Sequence, residues 1–174
     1  MKFLSMCAMM FCGAMLIAGT DIDVNGKFAG STLDEQAPQG WVFNTSVAPV
    51  GTGKVVKVGD KFGVQISNPK KELHYYSKKQ VNVVPGDIYE LSCDVTGTGL
   101  VGLAMYFYNE KGWVGGVYQK PVKLQPGEND VKFALVVPAE IRGKVPSRAC
   151  FAFLVRGAAE ATFSDFEVEK EDGN

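Results

Sequence analysis

After residue 20 no stretch of this chain carries the apolar spacing of an amphipathic helix; Gly, Pro, Asn and Asp cut it into short segments of alternating polarity. Alternation by two puts one set of side chains on each face of a pleated strand, so such a chain must bury one face of its strands against another layer. Tyr89, Leu91, Cys93 and Val95 fall on one face, with Glu90, Ser92 and Asp94 on the other. Val101, Leu103, Met105 and Phe107 alternate likewise against Gly102, Ala104, Tyr106 and Tyr108. In this second set the outward face carries aromatic rings instead of charges.

Strands are predicted over 41–43, 54–58, 62–67, an extended run that begins at 73–76 and ends at 80–84, 88–95, 100–108, 130–137, 150–155 and 161–169, with 114–122 a further candidate. Gly59-Asp60-Lys61 reads as a hairpin turn, and Pro85-Gly86 and Pro126-Gly127 as further turns. Gly97-Thr98-Gly99 closes the 88–95 strand, and Gly115-Gly116 interrupts the 114–122 segment. The spacing predicts an all-β fold, a jelly-roll β-sandwich of two antiparallel sheets with about nine strands. Residues 20–169 are expected to form this one domain, with 170–174 a frayed polar tail.

The N-terminus predicts export. Lys2 is followed by an uncharged stretch from Phe3 to Gly19, ending in small residues that suit cleavage after Ala18 or Gly19, so residues 1–19 read as a signal peptide. A spanning helix needs about 20 apolar residues, slightly more than this run supplies. The expected location is secreted or periplasmic, with no membrane association once the signal is removed. Loss of Lys2 leaves 17 basic against 19 acidic residues, without a basic stripe, so no nucleic-acid partner is indicated. Cys93 and Cys150 stay in the domain, each inside an apolar run. Either they form a disulfide in an oxidising compartment or both are small core residues.

The residue inventory argues against an enzyme. His74 is the single histidine, and no Gly-x-Ser-x-Gly, His-Glu-x-x-His or Cys-x-x-Cys pattern is present. Glu72, Glu90, Asp94 and Glu110 are available as carboxylates but read as solvated strand and turn residues.

The aromatic residues carry the functional signal. A sugar ring presents apolar C–H faces, and an exposed Trp or Tyr stacks on them while losing little rotamer entropy. Trp113 follows the turn Asn109-Glu110-Lys111-Gly112 and precedes Gly115-Gly116, so it has few neighbours to bury it; it is either a stacking platform or a local packing residue. Tyr106, Tyr108 and Tyr118 lie on adjacent segments, and Gln119, Asn109 and Glu110 offer hydrogen bonds. His74, Tyr75 and Tyr76 form a second polar-aromatic cluster, Trp41 is expected in the core, and Asn44-Thr45-Ser46 is a glycosylation sequon.

Four segments together resemble a known family: Asn25-Gly26-Lys27-Phe28, Gly40-Trp41, Val81 to Ser92 with its Val84-Pro85-Gly86-Asp87-Ile88-Tyr89, and Phe107-Tyr108-Asn109-Glu110-Lys111-Gly112. With the closing Phe163-Ser164-Asp165-Phe166-Glu167-Val168 they resemble carbohydrate-binding modules of the family 4/9 type, in the galactose-binding-like β-sandwich superfamily. The resemblance implies a non-catalytic module that binds a poly- or oligosaccharide through exposed aromatics. It also implies a structural calcium ion near Asp165, which needs about six to eight oxygen ligands. Ala29 and Ser164 stand where the family places two of the carboxylates; the other reading is that Asp165 hydrogen-bonds a turn. The alternative function is a structural or adhesive envelope protein that contacts other proteins through its sandwich.

Overall fold

The computed structural model describes residues 19–44, 52–68 and 72–171; all of the expected signal peptide 1–19 except Gly19 lies outside them, as do the sequon residues Thr45 and Ser46. The described residues are all strand and loop, with eleven strands in one antiparallel sheet. In chain order these are β1 (Gly19–Asp21), β2 (Trp41–Asn44), β3 (Thr52–Val58), β4 (Lys61–Asn68), β5 (Leu73–Ser77) and β6 (Val81–Asn82). They continue as β7 (Ile88–Asn109), β8 (Gly112–Tyr118), β9 (Val122–Lys123), β10 (Glu128–Val136) and β11 (Arg148–Glu171).

Two long strands organise the rest. β7 and β11 pair with each other almost end to end, from Tyr108 opposite Arg148 to Tyr89 opposite Lys170. The first half of β7 and second half of β11 form a layer with β10, β4, β3 and β1. Their remaining halves form the other layer with β8, β9, β5, β2 and β6. Phe153 and Phe163 show how sharply the sheet curls. Ten residues of straight strand would span about 33 Å, yet their rings stack at 4.6 Å between centroids. β11 therefore doubles back, and the sheet closes on itself as a β-sandwich.

The bend sits where sequence reading expects a strand to stop. Gly97 and Gly99 have φ of +123° and +108°, and both lie inside β7. A Cβ at Gly97 would run into the Glu160 carbonyl oxygen across the strand pair. These glycines bend one strand through the corner instead of separating two, and the 150–155 and 161–169 segments likewise join into β11 across a register shift between Arg156 and Glu160. The tail assignment is corrected too: Lys170 and Glu171 belong to β11 and pair with Thr20 and Gly19.

Between the layers lies an aromatic core centred on Phe153, which meets Phe28, Trp41, Tyr75, Phe163 and Phe166. Trp41 is buried as expected, and its indole Nε1 donates to the Asn25 carbonyl at 3.1 Å. The Asn25-Gly26-Lys27-Phe28 motif has a packing role. Asn25 holds the loop through side-chain bonds to Ala29 and Gln39, while Phe28 fills the core. Gly26 leaves room for Phe166, whose N–H donates to the Gly26 carbonyl at 3.0 Å.

Cys93 and Cys150 are both free and buried, so the disulfide alternative does not hold. The reason is geometric: Cys93 faces the central core, whereas Cys150 faces outward into a small separate cluster.

Gly97→Ala is expected to cost roughly 2–3 kcal/mol in denaturant unfolding, because it combines a backbone collision with a left-handed φ. Gly127→Ala, where φ is +95° but nothing lies within 4 Å of the added Cβ, is expected to cost less. Equal losses would show that Gly97 marks only a conformational preference.

Candidate functional site

The two outer faces of the sandwich differ in chemistry. On the β10–β7–β11–β4 layer, Lys61, Asp94, Asp130, Lys132, Asp165 and Glu167 surround a shallow charged depression. On the opposite layer the outward positions of β5, β7 and β8 are aromatic. His74 and Tyr76 of β5 face out while Leu73 and Tyr75 face the core. Tyr106 and Tyr108 of β7 do the same against Val101, Leu103, Met105 and Phe107.

β8 joins this face through an irregularity. Tyr108 pairs with Trp113 and Phe107 with Gly115, so Val114 is an extra residue. Residues five apart on a regular strand point to opposite faces. The extra residue turns Trp113 and Tyr118 to the same side. Gly116 lies between them, and a Cβ there would come within 2.9 Å of Tyr106 and 3.1 Å of Tyr118. Its bare backbone lets both rings lean inward.

The result is a hollow of about 390 Å³ lined by Asn44, His74, Tyr76, Tyr106, Tyr108, Trp113 and Tyr118. Adjacent ring centroids are spaced at 6.1 Å (Tyr76–Tyr106), 5.8 Å (Tyr106–Tyr118) and 6.2 Å (His74–Tyr118). Beneath them Ala104 and Ala152 pair across β7 and β11, and their small size leaves space for the hollow. Trp113 and Tyr118 stay half open, at 50% and 39% exposure, whereas Tyr106 and His74 are both at 6%. Two wet rings therefore stand above a fixed polar floor. Larger hollows of 540 and 580 Å³ exist near Ala158–Glu160 and beside the Asp21–Ala29 loop, but neither exposes an aromatic ring.

Hydrogen bonds fix that floor. His74 Nε2 is 2.7 Å from Glu72 Oε1, and its Nδ1 meets the Tyr106 hydroxyl. A carboxylate only accepts, so Nε2–H donates to Glu72 and Nδ1 accepts from Tyr106. Arg156 Nε is paired with the other Glu72 oxygen at 2.6 Å, and its guanidinium stands 5.7 Å from the Tyr118 ring centroid. Burial lowers the His74 pKa below its usual value, with Glu72 pulling against that effect. Burial also raises the Tyr106 and Tyr108 hydroxyls and pushes the Cys150 thiol beneath them up to about 11.

Of the residues singled out from sequence, Trp113, Tyr106, Tyr108 and Tyr118 come together here. The remaining three serve the scaffold. Gln119 accepts from the Leu103 N–H and donates to the Lys132 carbonyl, bracing β7 against β10. Asn109 accepts from Lys111 N–H within the turn, and Glu110 is an exposed residue of that turn. The His74 cluster, read as a separate feature, is one wall of the same hollow, although Tyr75 turns inward and donates its hydroxyl hydrogen to the Gln36 carbonyl. Asn44 escaped notice as a lining residue; its position one strand beyond β5 shows only in the pairing of β2.

The Asp165 region does not suit calcium. One Asp165 oxygen already holds the Lys61 ammonium at 2.5 Å, and the neighbouring Ala29 and Ser164 positions bring no carboxylate. Among the described residues no group of three or more His, Cys, Asp or Glu is placed to hold a metal ion.

If burial keeps His74 neutral, the unfolded chain takes up a proton near pH 6.5 that the folded chain resists. Stability is then full above that value and declines as pH falls through it. The thermal midpoint is expected to drop from about pH 7.5 to about pH 5.5, and the drop to shrink in His74→Gln. An unchanged drop would assign it to other groups.

No family model and no curated protein sequence matches this chain. Solved structures do. A cyclase from Fischerella sp. TAU, in complex with 4-(1H-indol-3-yl)butan-2-one, superposes with a TM-score of 0.65 at 8% identity, over 89% of this chain and 99% of that one. The CBM22-1 xylan-binding domain of Paenibacillus barcinonensis Xyn10C gives 0.58 at 11% identity, over 90% and 98%. A CBM4 module gives 0.55 at 17% identity, over 84% and 97%. The chain also matches the enzymatically active domain of bacteriophage CBA120 tailspike protein 4, spanning only 20% of that chain's length. The protein has the β-sandwich fold that this cyclase and these carbohydrate-binding modules share.

Proposed function

We propose that this protein is an exported, non-catalytic carbohydrate-binding module that holds sugar rings in the aromatic hollow. The observation that carries the reading is convergence: Trp113, Tyr118 and Tyr108 meet in one open hollow beside Asn44 and His74. An exposed Trp beside polar groups offers a sugar both a stacking surface and hydroxyl partners. The half-exposed Trp113 and Tyr118 are the natural stacking rings, and Asn44 and the tyrosine hydroxyls are the natural readers of sugar hydroxyls.

Binding without chemistry fits the floor of the site. His74 and the Tyr106 hydroxyl that it holds are both buried, at 6% exposure, beneath the open rings. Raised tyrosine hydroxyls are neutral donors at ordinary pH, suited to hydrogen bonding. The opposing structural or adhesive reading calls for a contiguous apolar patch, whereas this face presents separate rings with polar tips. The signal peptide expected over residues 1–19 supports the exported part of this reading.

Native gels cast with a panel of soluble neutral and acidic polysaccharides test it. At least one polysaccharide is expected to retard the protein. Trp113→Ala is expected to weaken that interaction roughly thirtyfold, as truncation of a central Trp does. A folded protein that migrates unchanged across the panel would contradict the proposal.

A further inference from the structure

We infer that the hollow selects saccharides bearing carboxylates, that is, uronic acid units; the inference rests on the proposed sugar-binding reading and names its ligand class. It comes from the charges that rim the site. Arg142 places its guanidinium 5.4 Å from the Trp113 ring centroid. Arg148 lies directly across the strand pair from Tyr108, at an outward position of β11. Trp113 and Tyr108 are themselves partners, so both cations stand at the same end of the hollow.

Neither cation is neutralised by an ion pair among the described residues. Arg148 donates to the Asn109 carbonyl at 3.1 Å, which orients it without cancelling its charge. The carboxylate that touches the lining is Glu72, and its two oxygens are taken by His74 and Arg156. The adjoining turn contributes Glu110 and Lys111, one charge of each sign. A chain with a net charge of −1 thus leaves positive charge unbalanced at the rim of its aromatic hollow, while carboxylates gather on the opposite face.

Arg142 is held there by the fold. It sits in a tight turn closed by Ile141 and Lys144, whose backbone hydrogen bonds measure 2.8 and 3.1 Å. Ile141 packs over Gly115, which has no side chain to compete with it, so the turn is seated against β8. Arg142 adopts φ of +53°, a left-handed conformation that a non-glycine residue keeps only where its surroundings hold it. A planar guanidinium beside a stacking ring suits a planar carboxylate on the stacked sugar, through paired N–H···O bonds.

The test compares polygalacturonate with the same polymer after its carboxyls are reduced to alcohols, using the wild-type protein, Arg142→Gln and Trp113→Ala. The expected result is at least tenfold tighter binding of the acidic form, weakened by added salt. Arg142→Gln should lose about tenfold on the acidic form and little on any neutral polymer. Equal binding of the two forms, with Trp113→Ala abolishing both, would overturn the acidic selection while leaving sugar binding intact. Binding of dextran sulfate but not polygalacturonate would overturn the carboxylate assignment. Absence of binding to any polysaccharide would overturn both readings.

Discussion

The pairing of β7 with β11 is the constraint on which the molecule depends. Each strand runs through both layers, so their register fixes simultaneously which side chains meet in the core and which stand outside. Phe153 and Phe163 come together only because β11 bends between them. Outward residues follow by parity: with Met105 and Phe107 committed to the core, Tyr106 and Tyr108 must lie on the outer face of the layer. A slip by one residue would bury those tyrosines and expose the core, which is why an aromatic outer face can persist on this scaffold.

An outward aromatic row ordinarily invites collapse or aggregation. Here the rings pack against one another, and polar anchoring ties them to the scaffold. Tyr106 is tied to His74, His74 to Glu72, and Glu72 to Arg156, a chain that crosses from β7 through β5 to β11. Burial of His74 in neutral form suits such a network, whereas the buried Arg156 Nε meets Glu72 as an ion pair without hydrogen-bond geometry. On the rim Trp113 and Tyr118 remain half open to solvent, with Tyr118 hydrogen-bonded to the Tyr106 hydroxyl below it. The site is thereby divided into a rigid floor and an accessible upper edge, an arrangement that favours recognition of a ligand over enclosure of one.

Much of the sandwich was legible because alternation marks faces directly; the Tyr89–Val95 and Val101–Phe107 runs both put the expected residues inside. Glycine misled at the corner, since Gly97 and Gly99 look the same in sequence whether a strand ends or bends; the deciding contact, with the 159–161 stretch of β11, is distant in the chain. That the four candidate aromatics on β7 and β8 lie on adjacent segments was readable, yet their grouping with His74 and Tyr76 was not. That depends on β11 lying between β5 and β7, which local pattern cannot reveal. His74 and Tyr76 did carry a signal, being two apart on one short strand. For Gln119 the sequence shows a donor and an acceptor without showing that backbone groups of Leu103 and Lys132 already use them. The family-like motifs also acquire physical content: Asn25 and Gly26 shape a loop against Phe166, so their presence speaks for fold and not for ligand.

The central claim is that ligand recognition resides on the outer face of β5, β7 and β8. The most direct measurement is a map of amide and side-chain NMR shifts during titration with a soluble oligosaccharide that the protein retains. The account predicts that changes cluster at Trp113, Tyr118, Tyr108, Tyr76 and Asn44, with the Trp113 indole N–H among the largest and the buried Trp41 indole unmoved. Changes centred on the Lys61–Asp165 face, or around the Asp21–Ala29 loop with Trp113 silent, would contradict it.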